Sequence, residues 1–497
     1  MSLLGIDLGS GSCKGVVFNE RGDILGLASR EYAPYYPAPN HAQMNSEAFW
    51  EAFVAVTREL AVYSVESMCI SSHGETIIPV DKHGNAIHHA IMNIDNRAVL
   101  EAASWESQWV YGITGLPPHA MYGFNKIMWL KKHKPELYEE TSCFLNPADY
   151  ILERIGFPRC TDYSLASRVM ALDIHEKQWS EEILDIASIK MDKLPKPEQS
   201  GNFLGNIIPS VARILNLKPG VAVVLGGHDQ PCGALGAGAT EHFQAYDSAG
   251  TYECLAVTSG KPYNTPEAFK YSFNTYCHVL KDKYITLAFF PAGVGTRWFV
   301  EQFCGDDKLR AKEAGLNLYT YLDDVIEALG NSPTGLCVTP NFVGACNPNW
   351  DANATGVMLG ITPTITRHHV YKALHEGIAC ELFLNLCALE TVVGTLPEIR
   401  ISGGNAKSMF NVKLRADITG KRFLYQDDAE AVCRGAAMIA GTAAGMFKDI
   451  EQASRSLARP YMALEPDKNI GKAYEPQRER YTKLYPALRD IFQEVLP

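Results

Sequence analysis

Short apolar runs alternate with small-residue turns from the start of the chain. LLGIDLG, CKGVVFN and ILGLASREY read as three β-strands, and the turn NERGD between the last two has hairpin chemistry. From about Ser46 to Tyr63 the pattern is that of an amphipathic helix, after which MCISSHGE is a strand ending in polar residues. This β-β-β-α-β order predicts a mixed sheet with helices on its faces rather than a repeated βαβ series. A long segment, roughly residues 90 to 200, carries helical patterns such as KIMWLKKH and SEEILDIA. VAVVLGG then returns to a buried strand that stops at His228-Asp229.

The design repeats beyond residue 240. AYDSAGTYECLAV, residues 245 to 257, is again strand, small-residue turn at Gly250-Thr251, and strand. The broader order follows: β-type runs, a helix from about Ile365 to Glu390, strand EIRIS, a helix, strand RFLYQ, and the helix DAEAVCRGAAMIAGTAAG. Two related halves facing a shared cleft are the better reading, each presenting a glycine hairpin whose open amides can cradle phosphate. The small-residue stretch ALGAGATEHF separates the hairpins and divides the chain into residues 1–240 and 241–497.

Composition narrows the partners. At 497 residues the chain is longer than one core sustains, and 46% apolar and 20% charged residues suit a globular protein. A net charge of -11 argues against nucleic acid or an anionic membrane as partner. Thirteen scattered cysteines without a C-x-x-C pair fit reduced thiols, and no run approaches a spanning helix, so the cytoplasm is the expected location. His88-His89 and His368-His369 lack carboxylate or cysteine partners at ligand spacing, and Lys131 to Lys134 read as a solvated face.

GIDLGSGSCKG fails both common phosphate templates: Lys14 precedes Gly15 where a P-loop needs a hydroxyl, and Lys14 occupies the third glycine position of a dinucleotide fingerprint. The other pointed stretch is GGHDQPCGALGAGA, residues 226 to 239, which places Asp229 at the end of a buried strand. That residue either acts in the cleft or caps the following helix.

Taken together, these motifs resemble the FGGY carbohydrate kinases, in particular the xylulokinases and fuculokinases, and the resemblance spans nearly the whole chain. GIDLGSGSCKG is similar to the first phosphate motif and DSAGTYECL to the second. TDYSLAS with its later WS follows the insertion pattern, MYGFNKIMWLKKH approaches a signature, and NPNWDANATGVMLGIT with ISGGNAKSMFNVKLRADITGKRF matches the C-terminal signature region. The resemblance implies an α/β fold of two actin-like, ribonuclease H-like domains around a central cleft. It also implies ATP-dependent phosphorylation of a ketose, first a xylulose-type ketopentose, alternatively L-fuculose, L-rhamnulose or another sugar or polyol.

By the same resemblance, Gly9, Ser10, Gly11, Ser12 and Lys14 form one phosphate wall and Gly250 and Thr251 the other. Asp7 holds Mg²⁺ through water, Asp229 is the catalytic base, and Gly403, Gly404 and Asn405 adjoin the purine. His73, Glu75, Asp95, Arg97 and His228 face the sugar, while Asn93 stands where W-x-D-x-R has tryptophan. A homodimer is an expectation from the family alone. A rival of another class is an actin-like ATPase switch with no sugar substrate.

Overall fold

The computed structural model describes residues 2–427 and 430–495. It holds two mixed sheets. The first runs, edge to edge, Phe203–Asn206, Ala222–His228, Ser67–Ser72, Ser2–Leu8, Ser12–Asn19, Ile24–Glu31. The second runs Asn274–Cys277, Tyr284–Pro291, Tyr252–Ser259, Ala245–Ala249, Glu398–Ser402, Arg422–Tyr425, Met462–Leu464.

Pairing directions show the internal repeat. Ser2–Leu8 is antiparallel to Ser12–Asn19 and parallel to Ser67–Ser72, which is parallel to Ala222–His228. Ala245–Ala249 is likewise antiparallel to Tyr252–Ser259 and parallel to Glu398–Ser402, which is parallel to Arg422–Tyr425. The strand Asn274–Cys277 extends the second sheet only.

Local sequence explains most elements. The helix Glu47–Leu60 buries Phe49, Phe53, Val56 and Leu60, a three-to-four-residue stripe, against the first sheet. Ser180 accepts from the Ile183 N–H and so starts the helix Glu181–Ala187. Lys131 finishes that helix by donating to the carbonyls of Ala187 and Ser188, so this part of the basic run is a helix cap rather than a solvated face. His368 also differs from expectation, because Asp307, 61 positions away in sequence, lies 3.1 Å from its Nε2. The long helices Arg367–Val393 and Lys468–Val495 cover the second half. Among the described residues no helix is long and apolar enough to cross a membrane.

The halves meet along two crossing helices, Asp229–Gly236 and Ala431–Ala443. Asp428 and Ala429, which begin the helix expected from sequence, lie outside the described residues. The contact is backbone to backbone: a Cβ on Gly236 would lie 1.9 Å from the Ala431 carbonyl oxygen, and one on Gly435 1.9 Å from that of Cys232. The second of these helices also lies on the first sheet, sharing a core of Leu3, Val16, Cys69, Ala436 and Ala440.

Candidate active site

The parallel strands end at candidate residues. Leu8 is followed by the Gly9–Ser12 turn, Ser72 by His73, His228 by Asp229, Ala249 by Gly250 and Ser402 by Gly403. Groups leaving the carboxyl ends of parallel strands converge on a crevice, where open α/β sheets bind ligands.

Both hairpin turns spend their carbonyls on the fold. In the first, Gly9 N–H donates to Ser12 O (2.9 Å), Tyr32 N–H to Gly11 O (3.0 Å), and the Tyr32 phenol to Gly9 O (2.7 Å). In the second, Ala292 N–H donates to Thr251 O (3.1 Å) and Asn405 Nδ2 to Gly250 O (2.8 Å). The amides of Ser10, Gly11 and Thr251 have no acceptor among the described residues, and all three residues are exposed. Outward N–H groups on both turns favour an anion.

Asp7 stands opposite Lys14 across the first hairpin. Burial pushes its carboxyl up to about 7, with Lys14 opposing the shift and Glu430 reinforcing it. Its Oδ1 is buried and finds no hydrogen-bond donor. Lys14 is itself engaged: Nζ lies 3.0 Å and 3.2 Å from the two oxygens of Glu430.

Asp229 opens the helix Asp229–Gly236, yet the N-cap is His228 and makes no side-chain cap bond. The N-cap position therefore belongs to His228, although the Gln230 N–H still hydrogen-bonds the Asp229 carboxyl. His228 Nε2 comes within 3.2 Å of Oδ1 without hydrogen-bonding alignment, and Oδ1 is buried and unpartnered. Burial, helped by the charges of Asp7 and Glu75, holds this carboxyl well above the usual range. His228 Nδ1 hydrogen-bonds the Tyr276 hydroxyl at 3.1 Å, and burial drives the imidazole down to about 3, so it stays neutral.

The expected sugar-facing residues are tightly braced. Leu8 O accepts from His73 Nδ1 at 2.9 Å, and the Thr76 hydroxyl completes the ring at Nε2, 2.7 Å. Both nitrogens of His73 are thus committed inside the protein. Glu75 accepts from Nε and Nη2 of Arg168 at 2.8 Å and 2.6 Å. Burial raises the carboxyl, but the charge and hydrogen bonds of Arg168, together with His228 and His73, outweigh it and Glu75 falls to about 2. Arg97 forks onto Asp95 with two 2.8 Å bonds, and Asp95 also accepts from Ala42 N–H at 2.6 Å. Lys126 donates to the carbonyls of Glu75 and Met92, which ties the two loops together, and burial brings its ammonium down to about 7.

Comparison with known proteins decides the family. The FGGY family of carbohydrate kinases, N-terminal domain, matches residues 2–236, and its C-terminal domain matches residues 245–444. The chain belongs to the FGGY carbohydrate kinases. Such enzymes are phosphotransferases acting on sugar hydroxyls, which sets aside the ATPase-switch reading. The kinase is 25% identical to the xylulose kinase of Bacillus subtilis (strain 168), over 98% of this chain and 97% of that one. It is also 25% identical to the gluconokinase of Bacillus licheniformis, over 99% and 97%. Among solved structures, the ligand-bound xylulose kinase from Lactobacillus acidophilus superposes with TM-score 0.90 at 22% identity, covering 100% of both chains, which supports the actin-like two-domain fold.

On the other face of the kinase's cleft, two adjacent glycines differ in kind. Gly403 has φ +111°, and a Cβ there would meet Ala249 O at 2.7 Å, so the fold itself demands glycine. A Cβ on Gly404 would point into open space. Gly403→Ala is therefore expected to cost about 1–3 kcal/mol of stability, and Gly404→Ala almost none, as thermal melts of both variants will show. Asn405 spends its amide nitrogen on Gly250 O, bracing the second hairpin.

Sequence reasoning passed over several members of this site. Arg168 lies between the rings of Tyr122 and Tyr276, 5.2 Å and 4.9 Å from their centroids, and donates to Asn274 Oδ1 at 2.8 Å. Asn274 and Tyr276 come from the second half, so that half contributes directly to the wall behind Glu75 and His228. Gly293 closes the second hairpin from behind, with Gly250 O 2.9 Å from where its Cβ would be. The one available signal was Arg168 directly after the TDYSLAS core, a charge in an otherwise small and apolar run.

Proposed function

We propose that this kinase transfers the γ-phosphoryl group of ATP to an uncharged ketose, a xylulose-type ketopentose first, through a cleft between halves that divide near residue 240. The observation that carries this reading is the state of the cations beside the sugar loops. Arg168 is closed on Glu75, Arg97 is closed on Asp95, and Lys126 is held by two carbonyls with its charge weakened. A sugar acid would bring a carboxylate beside Asp229 and the ionised Glu75, where the neighbouring Arg168, Arg97 and Lys126 already have partners. Neutral hydroxyls suit acceptors and neutral imidazoles better.

In this reading the amides of Ser10, Gly11 and Thr251, with Gly9, Ser12, Gly250 and Lys14, cradle the phosphates from two sides. The purine lies against Gly403, Gly404 and Asn405, where the open space beside Gly404 admits a flat ring. Asp229 accepts the proton of the attacking sugar hydroxyl as the new O–P bond forms and the bond to the ADP oxygen breaks. His228 and Tyr276 hold the neighbourhood of that carboxylate, while His73, Glu75, Asp95 and Arg97 shape the sugar loops.

Mg²⁺ is the usual partner ion of such kinases. The buried, unpartnered Oδ1 of Asp7 suits a hydrated cation, which would neutralise phosphate charge when bound.

A coupled ADP-release assay with MgATP over xylulose, ribulose, L-fuculose, L-rhamnulose, glycerol and gluconate tests the reading. Strong turnover with one ketose and little with gluconate is the expected result. Preferential turnover of gluconate would defeat the argument from closed cations.

A further inference from the structure

Lys14 and Glu430 belong to different halves of the chain, yet their side chains form an ion pair beside the first phosphate hairpin. Lys14 leaves the strand Ser12–Asn19 directly after the turn, and Glu430 immediately precedes the helix Ala431–Ala443. The carboxylate stands on a firm base, because this helix lies so close to the first sheet that a Cβ on Gly5 would be 1.9 Å from the Cys433 carbonyl oxygen. The lysine stands on a flexible four-carbon stem whose freedom must be surrendered before its ammonium can act. Glu430 is only 13% exposed in its side chain, whereas the Lys14 side chain is 32% exposed.

We infer that Glu430 is a positioning residue for the ATP phosphates, acting through Lys14. An ammonium has three N–H donors. Glu430 Oε1 accepts one of them at 3.2 Å while Oε2, 3.0 Å away, adds charge without a hydrogen bond to the ammonium, so donors remain for a phosphate oxygen. Holding the charge in place before the nucleotide arrives removes an ordering cost that binding would otherwise bear. The pair also joins the second half of the chain to the first hairpin, so the lysine is correctly placed only when the halves are together. This inference rests on the reading that Lys14 faces the phosphates.

The sign of one substitution separates this role from a simple charge effect. As a bare negative charge, Glu430 would repel ATP, and Glu430→Gln would tighten binding. As a tether, its loss weakens binding. Calorimetric titration of the full chain with MgATP, which needs no sugar, should show Glu430→Gln weakening affinity about tenfold and Glu430→Asp retaining more of it. In a Lys14→Met background, Glu430→Gln should add nothing further. Thermal melts establish that each variant is folded, and Glu430→Asp serves as the measurement if the amide variant is not.

Tighter or unchanged MgATP binding in folded Glu430→Gln would overturn the inference, as would a loss of the same size in the Lys14→Met background. If Lys14→Met alone leaves MgATP affinity intact, the phosphate role of Lys14 falls and the tether falls with it. If Lys14→Met weakens binding while Glu430→Gln does not, the tether alone is refuted.

Discussion

Asp229→Asn is expected to lower phosphoryl transfer by about 10²- to 10⁴-fold while MgATP and sugar continue to bind. The amide has nearly the same shape, and the buried Oδ1 of Asp229 makes no hydrogen bond. What disappears is a proton acceptor. Because burial and the charges of Asp7 and Glu75 raise this carboxyl well above its ordinary value, it is poised closer to neutrality than a surface aspartate. A base acts only when unprotonated, so wild-type activity should climb with pH as the group ionises, and that limb should be missing from the residual activity of the variant. Turnover by coupled ADP release, beside calorimetric binding of MgATP, checks both parts. Full transfer in a folded Asp229→Asn enzyme would end the assignment of Asp229 as base.

Glu75→Gln should destabilise the fold by about 3–5 kcal/mol. The residue is buried, and the amide removes the negative charge that balances the Arg168 guanidinium between two aromatic rings, leaving only uncharged acceptors, its own oxygen and that of Asn274. The same pair predicts an acid response. Its folded value of about 2 lies below the ordinary 4.5, so the contribution is present above pH 4.5 and drains away as pH falls from there toward 2. Denaturant titrations between pH 7 and pH 3 should therefore converge for wild type and Glu75→Gln as the wild-type advantage is lost. Replacing both partners, as Glu75→Leu with Arg168→Met, should recover much of the stability, because no uncompensated charge is left buried. Sugar phosphorylation should not return with it, since the loop would have lost its carboxylate. Equal stability of the single variant and wild type at pH 7 would show the pair to be incidental.

The readable part of this protein lies where backbone and side chain answer to near neighbours. The hairpin at Gly9–Ser12 and its counterpart at Gly250-Thr251 are visible as strand, small turn, strand, and the matching antiparallel pairings bear out the repeat that they suggested. The strand VAVVLGG ends at His228-Asp229 as its apolar run indicates. His73, by contrast, is expected from the family resemblance to face the sugar. Only the fold brings Leu8 O, 65 positions away, to one nitrogen and turns Thr76 toward the other.

Local periodicity and turn chemistry, read from the sequence by itself, determined the repeated β-hairpins, the strand ends and the family. These depend on interactions a few residues long, which the order of apolar and small residues states directly. Which charges are free was decided by tertiary structure alone. Arg168 meets Glu75 across 93 positions, Lys14 meets Glu430 across 416, and Asn274 crosses from one half of the chain to the other. A charge in sequence carries no record of its partner. Burial raises the carboxyls of Asp7 and Asp229, whereas at Glu75 the neighbouring Arg168 overrides the same effect with its charge and hydrogen bonds, helped by His228 and His73.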